Sequence, residues 1–355
     1  MSGAVISAAA LADPVLAVEL AYWQQTTLKV VLTLIVVPTA TAIVVTVFLF
    51  KMMAGMQSRM GPMDAGPYGL IQLGADGLKF LQKELLSPVS ADKGVYALAP
   101  VVSLVATFMV FVVIPVGPNG FGSNLRTGIF YALAVSSLSV VGVLMAGWSS
   151  ANKYALIGGI RAGGQLIAYE LPLVLAVIGV VIQAGSLNLQ DIVVAQHSGE
   201  IFGWGGIGNP YFITQFVGFV LFMISIQAEL TQPPFDMPVA ESEVVGGWQV
   251  EYSGFQFLYF YIAEFGAAFG FAAIASTLFL GGWAVPFVAL DAGIMHILGP
   301  LVLFGKTMLV AFFIFWVRFS YPRFREDQLQ QFAWKYLIPL SLVNILATGI
   351  LKVVF

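Results

Sequence analysis

The chain has 355 residues, of which 59% are hydrophobic and only 9% are charged. Soluble globular proteins carry roughly 25% charged residues, so this composition excludes a soluble enzyme and a disordered chain. The net charge of −3 excludes a nucleic-acid-binding protein, which needs a basic surface. The absence of cysteine from the sequence excludes disulfides, thiolate zinc sites and cysteine-held iron–sulfur clusters. The composition therefore indicates a polytopic membrane protein.

Eight apolar runs are long enough to cross the ~30 Å hydrocarbon layer of a bilayer as helices. The runs are continuous rather than alternating, which favours helices over a transmembrane β-barrel. We therefore predict an all-α, multi-pass protein with a single membrane domain over residues 1–355. The predicted spans are roughly 28–50, 97–116, 128–147, 166–184, 211–227, 254–280, 301–317 and 336–354.

Basic residues are distributed unequally between the two sides that these spans define. One side has eleven lysines and arginines, with five in the first connection, two in the third and four in the seventh. The other side has three, namely Lys29, Arg126 and Lys352. Cytoplasmic loops carry the excess of Lys and Arg. The sequence therefore predicts cytoplasmic odd-numbered connections and both termini on the outer (periplasmic) side, with residues 1–27 as an outer segment.

The first connection contains an amphipathic stretch that is too polar to cross the bilayer. Gly-Pro pairs at 61–62 and 66–67 interrupt the helical backbone just after the first span. The residues that follow favour an interfacial helix, and a basic segment that merely anchors the loop is the alternative. The two faces of this helix consist of Leu70, Leu73, Gly77 and Leu81, and of Asp76, Lys79 and Lys83.

The third connection leads into the fourth predicted span with the sequence KYALIGGIRAGGQLIAYELP (153–172). Arg161 and Glu170 enter apolar surroundings, where an unpaired charge costs about 2.5–3.5 kcal/mol or more. Their separation of nine residues is about 2.5 helical turns, so we expect them to face different partners. Ion pairs that only stabilise the fold are the alternative to a functional role.

The fifth connection, which we call the acidic segment, reads AELTQPPFDMPVAESEVVGGWQVEYSGF (228–255) and has no Lys or Arg. Like charges this close repel, so some of its carboxyl groups should have raised pKa values or basic partners elsewhere. A divalent-cation site and a proton-handling cluster are both possible functions, although no calcium-loop pattern is present. The carboxylates are Glu229, Asp236, Glu241, Glu243 and Glu251.

Glu264 lies ten residues inside the sixth predicted span. A carboxylate at that depth must be protonated, paired or hydrated. Together with Glu170 it extends a series of carboxylates from the cytoplasmic side into the membrane, and such a series suits proton relay. Arginines of the seventh connection flank this series. Alternatively, that connection is a basic segment that ends the span and forms local ion pairs.

Four motifs together resemble those of a known family. They are QSRMGPMDAGPYGLIQLGADGLKFLQKE, KYALIGGIRAGGQLIAYELP, PPFDMPVAESEVVGGWQVEYSGF and WVRFSYPRFREDQLQQFAWKYLIPL. In order and spacing they are similar to the quinone-site membrane subunits of proton-pumping NADH:quinone oxidoreductase, respiratory complex I. The resemblance covers the chain from about residue 28 onward.

This resemblance implies a subunit that binds no redox cofactor, is not active alone and forms the membrane half of a quinone chamber. Quinone is the implied substrate, and electrons come from an iron–sulfur cluster in an adjoining hydrophilic subunit. Antiporter-like and small membrane subunits are further implied partners, in a prokaryotic cell (inner) membrane. The implied chamber residues are Arg59, Asp76, Arg161, Phe235 and Asp236, and the implied proton-relay residues are Glu170, Glu229, Glu241, Glu243, Glu251 and Glu264.

Several positions depart from the family pattern. Leu49-Phe50 replaces an acid–base pair, Gln232 replaces a base, and Val239 replaces an acid. Because equal numbers of both signs are lost, we hypothesise that Gln232 and Val239 replace an ion pair and that apolar packing holds the loop there. The departures keep one alternative open, a subunit of a ferredoxin-, F420- or hydrogenase-linked complex. A stand-alone secondary ion transporter is a separate alternative, which should show inverted repeats and broken midplane helices, whereas this chain concentrates polarity on one side.

Overall fold

The computed structural model describes residues 22–118, 122–199, 208–288, 290 and 293–354. Within these ranges every regular element is helical, and most of the predicted N-terminal segment lies outside them. One-turn helices at Tyr211–Thr214 and Glu241–Val244 accompany the longer ones. The longer helices are α1 (Trp23–Met56), α2 (Gln72–Gln82), α3 (Lys93–Phe111), α4 (Gly128–Ser149), α5 (Lys153–Ala184), α6 (Leu189–Ser198), α7 (Phe216–Glu229), α8 (Gly254–Phe279), α9 (Met295–Ser320) and α10 (Glu326–Val354).

Seven helices of the described residues are long and apolar enough to cross a membrane, one fewer than the sequence predicts. The exception is the fifth predicted span, where α7 has only 14 residues, or about 21 Å at 1.5 Å per residue. Gln215 has non-helical dihedral angles and separates α7 from the one-turn helix before it. The buried side-chain amide of Gln215 donates a hydrogen bond to Thr348 Oγ1 of α10 at 2.7 Å. The run is therefore a broken helix.

The helix α5 begins at Lys153, thirteen residues before the predicted start of that span. The glycines of GGIRAGG do not break the helix because they are positions of close packing. A Cβ on Gly158 would lie 2.6 Å from Gly247 Cα and 2.8 Å from Pro238 O. The side chain of Asn152 accepts a hydrogen bond from Tyr154 N at 2.8 Å and caps the first turn. Arg161 and Glu170 therefore lie on one continuous helix.

The last two helices also begin before their predicted starts. The helix α9 starts at Met295 rather than 301, and α10 starts at Glu326 rather than 336. Acidic residues Glu326 and Asp327 occupy the first turn of α10, where the partial positive charge of a helix N-terminus stabilises them. The apolar run alone therefore misses this polar first turn.

The helix α8 is the most enclosed of the seven and contacts α1, α3 and α9. Small residues on its surface permit close approach of its neighbours, as is usual in membrane helix packing. A Cβ on Gly266, for example, would lie 3.1 Å from side-chain atoms of Thr41 and Thr107. This central position surrounds Glu264 of α8 with several other helices.

Four connections meet at one end of the bundle, which we call the polar end. Leu86 N of the first connection donates to Ser253 Oγ of the acidic segment at 3.2 Å. Asn152 of the third connection donates to Glu251, and Arg323 of the seventh contacts Asp236. The odd-numbered connections thus lie on one side of the bundle, as the sequence predicts.

Candidate functional site

A cavity of about 580 Å³ lies between α1, α2 and α8 near the polar end. Its wall is mostly apolar, with contributions from Phe50 of α1, Phe80 of α2 and Ile262 of α8. Asp76, Lys79, Lys83 and Tyr261 add charged and polar groups to the wall, and Lys79 lies 3.6 Å from Asp76. Of the five predicted chamber residues, only Asp76 lines this cavity.

The helix α2 confirms the predicted helical stretch, but its faces differ from the expected ones. Leu73 and Asp76 both line the cavity, whereas Leu78 and Leu81 are 63% and 59% exposed on the other side. The sequence placed Leu73 and Leu81 on one face and Asp76 on another. In the structure Leu73 shares the cavity wall with Asp76, and Leu81 does not line the cavity. Asp76 accepts a hydrogen bond from Gln72 Nε2 at 2.9 Å, one helical turn earlier, which fixes the carboxylate beside the cavity.

Tyr261 connects this cavity with the carboxylates of the bundle, and the sequence reasoning missed it. It lies within electrostatic reach of Glu264, Arg318 and Asp76. Its ring packs on Phe265 with a centroid distance of 4.6 Å. Its spacing of three residues before Glu264 is the signal that could have identified it, because residues at i and i+3 share a helix face.

Gln232 bridges an acid and a base at the polar end. Its Nε2 donates to Glu264 Oε1 at 2.6 Å, and its Oε1 accepts from Arg318. Arg318 and Glu264 are themselves 3.9 Å apart. The hypothesis of apolar packing at Gln232 is therefore wrong, because this fully buried amide is held between two ionisable groups.

A second, smaller cavity of about 70 Å³ is lined by both Glu264 and Glu229. Three buried polar atoms of its wall have no hydrogen-bond partner in the described part of the chain: Glu229 Oε2, Ser103 Oγ and Trp248 Nε1. Buried polar groups are nearly always satisfied by protein or by water. One water needs roughly 10–15 Å³ of such space and two to four polar partners, so this cavity suits bound water.

Glu170 lies near Glu229 but does not line this small cavity. The two carboxylates lie close enough to interact electrostatically, and Glu170 shares a side-chain hydrogen bond with Ser137 of α4. Arg161 has different partners, as the sequence predicts for residues 2.5 turns apart. Its guanidinium contacts Glu243 at 2.6 Å and Glu326 at 3.3 Å.

Asp236 contacts Arg323 at 2.9 Å. Burial raises the pKa of this carboxyl group above its ordinary value, although the charges of Arg323 and Arg318 oppose the change. The adjacent Phe235 is buried against Tyr169, at a ring-centroid distance of 5.2 Å. The expectation of distant basic partners for the acidic segment is thus confirmed for Asp236, as it is for the Glu243 carboxylate above.

The remaining predicted site residues lie apart from the large cavity. Glu251 accepts a hydrogen bond from Asn152 Nδ2 at 2.5 Å, and Glu241 is exposed at the polar end. Arg59 is also exposed, and its Nε donates to Gln57 Oε1 at 2.7 Å. The predicted residues therefore do not form one chamber. Asp76 lies at the large cavity, Glu264, Glu229 and Glu170 form an acidic series inside the bundle, and Asp236 and Glu243 pair with arginines at the polar end.

Comparison with known proteins identifies the family. A family model described as NADH dehydrogenase matches residues 28–349. The H subunit of the NADH-quinone oxidoreductase of Brevibacillus brevis is 44% identical over 300 residues, covering 84% of this chain and 85% of that protein. The H subunits of Geobacillus kaustophilus and Bacillus cytotoxicus are 45% and 43% identical, each covering 86% of this chain and 87% of the relative. The chain belongs to this family of NADH-quinone oxidoreductase membrane subunits.

The family match covers every residue of the candidate site. The matched range, residues 28–349, contains the large cavity, the small cavity and every ion pair of the acidic segment. The chain is a multi-pass membrane protein on the strength of its seven apolar helices. Gln232 lies within the matched range and takes part directly in the Glu264 site.

Proposed function

We propose that this chain is the membrane subunit of an NADH:quinone oxidoreductase that binds quinone in the cavity between α1, α2 and α8. The observation that carries the proposal is the cavity itself, with about 580 Å³ of space and a mostly apolar wall. Ligand pockets commonly measure roughly 300–1,000 Å³ and combine apolar walls with few polar groups. Asp76 and Tyr261 are placed to orient a polar headgroup, while the apolar wall suits a hydrocarbon tail.

Under this proposal the chain supplies no redox centre of its own. Electrons reach the quinone from an iron–sulfur cluster in an adjoining hydrophilic subunit, which docks at the polar end. Antiporter-like and small membrane subunits receive the released free energy and move protons. The whole assembly lies in a prokaryotic cell membrane, and the NADH-quinone oxidoreductase names of the similar bacterial proteins support this assignment.

The proposed proton path runs from Glu264 to Glu229 and then to Glu170. Water in the small cavity would join the first two carboxylates, because three polar atoms of its wall need partners. Tyr261 would transmit a change at the quinone to this path through its proximity to both Asp76 and Glu264. Arg318 and Gln232 hold Glu264 in position at the start of the path.

The proposed orientation follows the distribution of basic residues. The polar end carries most of the Lys and Arg and would face the cytoplasm, with both termini outside. The helix α2 would lie in the interface, with exposed Leu78 and Leu81 in lipid. The broken run from Tyr211 to Glu229 would form an eighth crossing, since its 19 residues span about 28 Å.

A cavity-filling substitution tests the quinone site. Ala42 lines the large cavity, and Ala42→Phe should raise the KM for quinone about tenfold or more, because the added ring occupies the space of the headgroup or tail. NADH oxidation by a water-soluble artificial acceptor should not change, since that reaction does not use the membrane subunit. The measurement is NADH:quinone reductase kinetics in membranes with equal amounts of assembled complex.

The matched control is Val47→Phe. Val47 lies on the same helix, but its side chain is 41% exposed and outside the cavity wall. This variant should retain the wild-type KM. Equal quinone kinetics for both variants would reject the cavity as the quinone site.

A further inference from the structure

A third cavity lies at the end of the bundle opposite to the polar end. Its volume is about 290 Å³, and it is walled by α1, the end of α3, α8 and α9. Apolar side chains form most of the wall, among them Leu32, Phe111, Phe269, Leu303 and Phe304. This cavity takes no part in the quinone site or the proton path described above.

The cavity exists because α1 and α9 approach each other at only one end. Near the polar end Phe48 and Phe315 stack with a centroid distance of 5.2 Å. Toward the other end both helices instead line the gap, with Val36 on one side and Leu303 on the other. Neighbouring apolar side chains such as Ile35 (59% exposed) and Leu301 (62% exposed) lie on the surface of the chain beside the gap. A hydrocarbon chain could therefore enter the gap from this surface.

One charged residue lies at the rim of this cavity. Lys29 is exposed, and its Nζ donates to Gly122 O at 3.4 Å, which leaves two of its three donors for another partner. No carboxylate lines the cavity or pairs with Lys29 in the part of the chain that the structure describes. Trp23, one and a half turns earlier, is 66% exposed, as is usual for aromatic residues at the lipid headgroup level.

The depth of the cavity below Lys29 matches a hydrocarbon chain. Val36 lies seven residues further along α1, or about 10 Å deeper. Along α9, the lining from Pro300 to Thr307 covers a further two turns. A positive charge above an elongated apolar slot is complementary to an anionic phospholipid, whose phosphate can pair with the ammonium group and whose acyl chain can fill the apolar space.

We propose that this cavity binds an anionic phospholipid, with one acyl chain between α1 and α9 and its phosphate on Lys29. The slot is lined by residues of α1, α3, α8 and α9 and measures only about 290 Å³, so a single flexible chain suits it better than a helix of about 10 Å diameter. The lipid would fill a gap that the protein leaves unpacked beside α8, the helix that also carries Glu264. Phospholipid is the occupant to which the charge at the rim points, in preference to the uncharged tail of a quinone.

Photolabelling of the intact complex tests the proposal. The complex is reconstituted with phosphatidylglycerol or with phosphatidylcholine, each carrying a diazirine in the middle of one acyl chain, and labelled peptides are mapped by mass spectrometry. Phosphatidylglycerol should label the segment 300–307 of α9 and the α8 residues around Phe269. Lys29→Gln should reduce this labelling about fivefold, which corresponds to one Lys contact with an anionic membrane lipid. Phosphatidylcholine labelling should be weaker and indifferent to the substitution.

Two further variants complete the test. Arg126→Gln removes a positive charge from the same side of the bundle without touching the cavity wall, so labelling should stay at the wild-type level. Leu303→Trp fills the slot and should abolish labelling by both lipids. If the complex with Leu303→Trp does not assemble, the labelling of the Lys29→Gln complex still tests the proposal. Three results would each overturn the proposal. The first is equal labelling by both lipids that Lys29→Gln leaves unchanged. The others are absence of label from the segment 300–307 and complete displacement of the label by an unlabelled long-chain quinone.

Discussion

Replacing Gln232 with leucine removes the bridge between Arg318 and Glu264 while keeping a similar side-chain volume. The amide is fully buried, accepts a hydrogen bond from Arg318 and donates one to Glu264 at 2.6 Å. After the substitution Arg318 and Glu264 keep their direct contact of 3.9 Å. Glu264 also keeps its side-chain hydrogen bond with Gln249, and Arg318 still lies over the rings of Phe265 and Phe319. Leucine offers neither group a partner, so both must reorganise or recruit water.

Leucine removes three side-chain hydrogen bonds of Gln232, one of them to Leu230 O at 3.2 Å. The size of the effect follows from the other two, which join the amide to charged groups. A hydrogen bond to a charged group contributes about 1.5–3 kcal/mol, and the surviving Arg318–Glu264 contact offsets part of the loss. We therefore expect a net cost of about 3 kcal/mol to the native arrangement at Glu264, or roughly a hundredfold change in its population. Because Glu264 begins the proposed proton path, quinone reduction and proton pumping should fall together by at least tenfold.

The assay compares Gln232→Leu with Gln165→Leu in purified complex. Gln165 is an equally buried glutamine, but it donates only to the backbone oxygens of Ala228 and Phe235, at 2.8 and 2.7 Å. Its loss should lower the thermal stability of the complex and leave turnover per assembled complex nearly unchanged. Wild-type turnover and pumping in Gln232→Leu, or an equal loss of turnover in both variants, would refute the reasoning.

Three further predictions concern the acidic segment and its partner Arg161. Arg161→Lys keeps the charge, but lysine cannot hold Glu243 and Glu326 with one planar group. Quinone reductase activity should therefore fall about twofold to fivefold, which corresponds to the loss of one partly exposed ion pair. Wild-type activity in this variant would make the residue a simple charge anchor. Glu241→Gln, at an exposed carboxylate without an ion pair among the described residues, should lower that activity less than Glu243→Gln, and the reverse order would contradict the structure. Burial raises the pKa of Asp236, so the folded chain binds this proton more tightly than the unfolded chain does, and stability should fall as pH rises from about 4 through the raised pKa. Asp236→Asn should flatten that part of the Tm-against-pH curve, and an unchanged curve would assign the pH dependence to other groups.

Local patterns predicted much of the helical content. Seven of the eight apolar runs correspond to long helices, and the helical stretch predicted in the first connection corresponds to α2, although its faces differ. The pattern failed where packing overrides local preference. Glycines near residue 158 lie inside α5 because Gly247 approaches the helix there, and nothing local to either segment reveals that contact.

The candidate site was only partly accessible to sequence reasoning for a similar reason. Glu264 was predicted because a carboxylate inside an apolar run is conspicuous. Its bridge to Arg318 through Gln232 joins residues 32 and 86 positions apart, and only the fold brings them together. The buried polar atoms of Ser103 and Trp248 that have no hydrogen-bond partner could not be predicted either. Nothing in the sequence around this serine and this tryptophan indicates that they line the same cavity.

Mapping a photoreactive quinone on the intact complex is the most direct test of the proposed quinone site. The probe carries an azide on the quinone ring, is added with NADH, and is located by mass spectrometry after illumination. The account predicts labelled residues in α2 between Leu73 and Phe80 and in α8 between Leu258 and Ile262, with the labelling lost in Ala42→Phe. Labelling confined to other segments, or labelling of α2 and α8 that persists in Ala42→Phe, would contradict it.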